Sequence, residues 1–121
     1  MHMHDWNNYR NQLSAAVTGF GNLSPETVKG YAALGGAGEK TGRLGAKTRE
    51  LIALAVAVSL RCDGCIAFHT AAARKHGAGK DEIAEALGVA VSINAGAALV
   101  YSMRTLDAFE AASEEQAPPE Q

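Results

Sequence analysis

The sequence has no excess of either charge. Eleven Lys and Arg stand against 13 Asp and Glu, a formal net charge of -2 over 121 residues. Without a cluster of basic residues it lacks the footprint that phosphate backbones require, so nucleic acid is not an expected partner. It also lacks a long apolar run: the longest, Leu51 to Leu60 with Ser59 its one polar residue, is about half of the roughly 20 residues that a membrane-spanning helix needs. The N-terminus, MHMHDWNNYR, has neither the apolar stretch nor the cleavage site of a secretory signal. The expected setting is therefore the cytoplasm, with no membrane contact. No segment sustains the period-two alternation of a half-buried strand, and no internal repeat is visible. Cysteine is scarce, with only Cys62 and Cys65. In a reducing compartment so close a pair points to redox or metal chemistry. A disulfide between them would close too short a loop to stabilise the fold much.

What is present fits one globular domain, with 47% apolar and 20% charged residues. Trp6, Tyr9, Leu13, Val17 and Phe20 recur at spacings of three and four, which predicts an amphipathic helix from Asp5, its N-cap, to Phe20. Ser24-Pro25-Glu26 reads as a fresh helix start. That helix is expected to end by Leu34, because Gly35 to Gly42 holds four glycines in eight residues and reads as a loop. A helix from about Gly45 to Leu60 turns apolar on all sides after its first turn, so it should be buried on every face. Further helices are expected from near Cys65 to Lys75, from Asp81 and Glu82 to about Asn94, and from Gly96 to Ala112. The result is an all-α domain of five to six helices over residues 1–112. A flexible polar tail, SEEQAPPEQ, should follow over residues 113–121. The 24 alanines suit close helix packing. One small domain cannot cover both Leu51–Leu60 and Val89–Val100, so homo-oligomerisation is expected.

The chemistry concentrates in Glu50-LIALAVAVSLR-Cys62-Asp-Gly-Cys65-Ile-Ala-Phe-His69. On a helix opening near Cys65, Cys65 and His69 form an i, i+4 pair on one face. Cys62, at the helix entrance, can reach Cys65 to close a disulfide. A free thiol titrates near 8.5, and a helix N-terminus, a CxxC arrangement or a neighbouring cation lowers that to about 3.5–7.5. A carboxylate behind His69 would orient its ring for proton transfer. Glu50 is the candidate, but only a tertiary hairpin could bring it there; alone it would be a first-turn residue paired with Lys47. A rival reading makes Cys62, Cys65, His69 and either His76 or Glu50 a zinc site, and a blander one makes the cysteines small buried hydrophobes. His76 suits a helix C-terminus. Arg49 and Arg61 read as helix-end residues more readily than as anchors for an acidic substrate. Trp6, Tyr9 and Phe20 are candidate core or interface anchors, although an aromatic from a neighbouring subunit could also line the substrate pocket, and Phe68 could shape a pocket beside His69.

The spacing of Glu50, Cys62, Cys65 and His69, with the surrounding AKTRELIALAVAVSLRCDGCIAFHTAAARKHGAGKDEIAEAL, resembles the alkylhydroperoxidase D-like branch of the carboxymuconolactone decarboxylase family. The resemblance implies an all-helical fold and a thiol-dependent peroxidase acting on organic hydroperoxides or hydrogen peroxide. It implies Cys65 as the attacking thiolate, Cys62 as the resolving partner, and His69 and Glu50 as the proton relay. It further implies no metal or organic cofactor, assembly of dimers into trimers or hexamers, and reduction by a lipoylated protein or small dithiol. Two departures stand out: the chain is a single short unit, and Gly64 occupies a place where the long proteins of that branch carry histidine. The decarboxylases that name the family generally lack the cysteine pair. A decarboxylase-like catabolic enzyme, or an oligomeric zinc-binding or redox-sensing module, are the alternatives.

Overall fold

In the computed structural model, which describes residues 2–116, five helices and no strands are found among the described residues. Helix α1 spans Trp6–Leu23, three residues beyond Phe20, and begins where the Asp5 side chain accepts the Asn8 N–H at 3.2 Å. Pro25 opens α2, which runs to Thr41. The glycine-rich stretch expected to be a loop is thus mostly helix. Glycine costs about 1 kcal/mol per site in a helix and does not forbid one. At Gly38 the missing side chain has a use, because a Cβ there would sit 3.1 Å from Cδ of Arg49 on the next helix. The helix stops only at Gly42, which takes the left-handed conformation (φ 67°).

Helix α3, Ala46–Leu60, and helix α4, Asp63–Lys75, form the hairpin on which the rest is built. The reversal takes two residues. Arg61 N–H donates to the Val58 carbonyl at 3.3 Å and Cys62 N–H to that of Ala57 at 3.0 Å, a Schellman closure with Arg61 left-handed at φ 55°. The same closure ends α4, where Gly77 (φ 87°) donates to Arg74 and Ala78 to Ala73. Both ends therefore satisfy carbonyls that a helix terminus would otherwise orphan.

Helix α5 runs unbroken over Lys80–Gln116, 37 residues and about 55 Å, where the sequence predicted two helices meeting at Asn94 to Gly96. Asn94 does not break it: its amide donates to the Ala90 carbonyl one turn back and to Ser59 Oγ of α3, each at 2.7 Å. Residues 113–116 of the expected polar tail belong to this helix, and 117–121 lie outside the described residues. As one piece, α5 is long and apolar enough to cross a membrane by length and composition. Isolated Ser92, Asn94 and Ser102 break up a strictly apolar run while leaving the average apolar.

Helix α3 packs on α4 and α5, and α1 packs on α2 and α4. The buried core is Leu54 and Ala57 of α3, Ala67 and Ala73 of α4, and Ala90 of α5. Alanine lets the axes approach closely, as its abundance suggested. The expectation that α3 is buried on every face is not met within one chain, since Ile52, Val56 and Leu60 stay exposed.

Candidate functional site

Cys62 is the N-cap of α4, and Cys65 is the third residue of its first turn. Their sulfurs are joined in a disulfide with a Cα–Cα separation of 5.3 Å, and Cys65 N–H donates to Cys62 Sγ at 3.2 Å. The Schellman reversal places the pair there: it turns the chain so sharply that Cys62 leaves α3 and caps α4 in one step. The sulfurs consequently sit among the free N–H groups of a helix start, where negative charge is favoured.

One turn along α4, His69 meets Glu50. Its Nδ1 lies 2.6 Å from Glu50 Oε2, with both side chains partly buried. The tertiary hairpin required to bring Glu50 to the histidine is the α3–α4 pair. A carboxylate can only accept, so Nδ1 carries the hydrogen, and a neutral ring keeps its lone pair on Nε2. Lys47 does not pair with Glu50. It bonds Glu82 of α5 at 2.8 Å instead, leaving Glu50 to the histidine.

Cys62, Cys65 and His69 open on a cleft of ≈ 710 Å³ between α4 and the α1–α2 hairpin, with Phe68 on its wall. Glu50 is not part of that lining and stands behind His69. Leu13, Val17, Phe20, Val28 and Tyr31 make the facing wall apolar. Phe20, expected as an anchor or as an aromatic lining a neighbouring subunit's pocket, lines the cleft of its own chain, and Val17, Val28 and Tyr31 join it. The sequence signal for Val17 is the period of α1, which marks a face without saying what it covers, and Val28 and Tyr31 lie on α2 with no such signal. Gly64 explains how closely α1 approaches: a Cβ there would lie 2.6 Å from Leu13 Cδ2 and 3.8 Å from the Tyr9 hydroxyl. A histidine at this position would need Leu13 to turn aside.

The other candidates lie elsewhere. Arg49 donates to the Leu44 carbonyl in the loop before α3, Arg61 ends α3 and His76 caps the far end of α4. Trp6 stacks edge-on against His4, with ring centres 4.8 Å apart, and does not reach the cysteines. Among the described residues no three His, Cys, Asp or Glu side chains are grouped to hold a metal ion. The arrangement suits thiol–disulfide chemistry: two sulfurs that can bond, an imidazole one turn away, a carboxylate orienting it, and an apolar cleft in front.

Comparison with known proteins agrees with this geometry. Residues 25–108 match the sequence model of the carboxymuconolactone decarboxylase family. An uncharacterized protein of Haemophilus influenzae is 45% identical over 105 residues, 87% of this chain and 93% of its own length. Another from Cupriavidus necator is 33% identical over 100 residues, covering 83% and 88%. The crystal structure of an apo carboxymuconolactone decarboxylase family protein from Legionella pneumophila superimposes with a TM-score of 0.69 at 37% identity, covering 87% of this chain and 94% of that one.

Proposed function

The chain belongs to the carboxymuconolactone decarboxylase family, and on that footing we propose that it is a thiol-dependent peroxidase of the alkylhydroperoxidase D-like type. The supporting observation is the Cys62–Cys65 pair at the start of α4, one turn from an imidazole held by Glu50 at 2.6 Å. In the reduced protein the Cys65 thiolate attacks the terminal oxygen of ROOH. The O–O bond breaks, and the alkoxide leaves as ROH with a proton delivered through His69. Cys65 becomes a sulfenic acid. The Cys62 thiol then attacks that sulfur, water departs, and the Cys62–Cys65 disulfide forms. A dithiol, small or lipoyl-borne, takes the disulfide back to two thiols and is itself oxidised. The apolar wall of Val17, Phe20, Val28 and Tyr31 favours peroxides with an organic body over hydrogen peroxide.

The decisive experiment counts free thiols and intact mass of the reduced protein before and after one equivalent of cumene hydroperoxide. The expected result is loss of both thiols with a fall of about 2 Da, absent in Cys65→Ser. Thiols that survive the peroxide overturn the reading. Lactone decarboxylation persisting after replacement of both cysteines would assign the chain to the catabolic enzymes of the family.

We also propose that the working unit is a homo-oligomer in the cytoplasm, built from dimers into a trimer or hexamer and not inserted in a membrane. A compact 12.6 kDa protein exposes about 6200 Å². This chain alone exposes 9835 Å², so roughly 3600 Å² is in excess. Obligate interfaces bury about 2000–5000 Å² summed over both partners, about half of it on each, so an excess of this size on one chain is more than a single such interface covers. The uncovered residues are those such an interface selects, among them Leu99, Met103, Leu106 and Phe109 of α5.

A further inference from the structure

A second cleft, of ≈ 540 Å³, lies along the Ile66–Thr70–Arg74 face of α4, closed by the starts of α1 and α5. It shares no lining residue with the cysteine cleft, although both use α4. Ile66 and Ile83 give it an aliphatic floor and Trp6 an aromatic wall, while Arg10, Arg74 and Lys80 contribute three positive charges. Among the described residues the ion pairs are Lys29–Glu26, Lys47–Glu82 and His69–Glu50, so none of these three cations is matched by a carboxylate. An anion seated in a concavity lined by three unmatched cations is attracted by each of them. Two guanidinium groups suit an oxyanion in particular, because each presents a planar fork of donors. The volume is within the range of small-ligand sites, and so is the combination of an apolar floor with a few convergent polar groups.

We propose that this cleft is a second binding site, separate from the thiol chemistry, for a small molecule with an oxyanion head, carboxylate or phosphate, on an apolar body. The body lies on Ile66 and Ile83 against Trp6, and the head meets Arg10, Arg74 and Lys80.

Trp6 is the chain's single tryptophan, so its fluorescence reports on this cleft directly. Octanoate, octyl phosphate and the neutral 1-octanol are titrated into the full protein at constant ionic strength. The expected result is a saturable change in Trp6 emission with the anions and not with octanol over the same range. Binding should weaken roughly tenfold or more in Arg10→Gln/Arg74→Gln and be unchanged in Cys65→Ser. The tighter of the two anions identifies the head group. Equal responses to octanol and octanoate, or unaltered octanoate binding in the double variant, would overturn the proposal. Lys80→Gln, an exposed single change, repeats the test independently of any effect of the double variant on folding.

Discussion

At the residue scale the site divides into what acts and what positions. If His69 carries the proton to the departing alkoxide, His69→Asn should lower the rate of peroxide-driven disulfide formation about a hundredfold or more. Glu50→Gln keeps the shape and an amide oxygen that can still accept from Nδ1–H, but loses the negative charge that supports the ring as it takes up a proton. Its effect should be smaller, near tenfold, with an altered pH–rate profile that stopped-flow thiol assays would resolve. Arg61 is a different kind of residue. Its left-handed backbone costs an L-residue about 1–2 kcal/mol, partly offset in a glycine by the freer unfolded chain. Arg61→Gly should therefore raise stability by roughly 0.5–1 kcal/mol in urea unfolding, leaving the thiol chemistry intact. Glu82 carries a pH signature. The Lys47 hydrogen bond, then the Gly79 N–H, holds its carboxyl below the ordinary range. A lowered folded-state pKa means that stability is gained above the unfolded value of about 4.3 and lost as pH falls through the folded one. Glu82→Gln should accordingly flatten the acid limb of a melting-temperature profile below about pH 5. Cys62, Cys65 and His69 were legible from sequence because i, i+3 and i, i+4 neighbours meet on any helix. Glu50, 19 residues from His69, was legible only as a candidate, since nothing local dictates how α3 and α4 pair.

At the element scale the helices were readable, and so were the ends of α3 at Leu60 and α4 at Lys75, while the expected ends of α1 and α2 and the expected break within α5 were not. The start of α1 fell at Asp5, whose side chain caps it, and that of α2 at Ser24-Pro25, where Pro25 opens the helix and the expected Ser24 cap is not made because its hydroxyl bonds the Thr27 hydroxyl instead. The expected breaks at Gly35 and at Asn94 to Gly96 did not occur. A glycine penalty of about 1 kcal/mol is easily outweighed by tertiary packing, here Arg49 lying against Gly38 and Ser59 bonding Asn94. The α1–α4 contact is the one most open to test. Gly64→Ala should force Leu13 aside and destabilise the fold by about 1–3 kcal/mol. Leu13→Ala has its own packing cost, but in that background Gly64→Ala should cost less, and a double-mutant cycle measured by denaturant unfolding would show the difference.

At the scale of the whole molecule, exposed apolar surface is the dominant fact. Val91, Leu99, Leu106 and Phe109 along α5, with Ile52 and Leu60 on α3, have no cover within one chain. If a second copy covers them, light scattering of detergent-free protein should give a mass at least twice 12.6 kDa. Leu99→Glu/Phe109→Glu should then shift it toward monomer and lower its melting temperature, because the burial it loses is apolar. Partitioning into the membrane fraction with no detergent-free oligomer would reverse this reading and make α5 a spanning segment.

The sequence by itself determined the helical class, the starts of the first two helices and a cysteine pair with its histidine, since these depend on spacings within one or two turns. Only the tertiary structure decided that Glu50 stands behind His69, that α1 and α2 wall the cleft, that α5 is one helix, and which cations gather beside Trp6. Those outcomes depend on how separate helices dock. Docking is set by the sum of many small contacts between residues distant in the chain, and no local pattern records that sum.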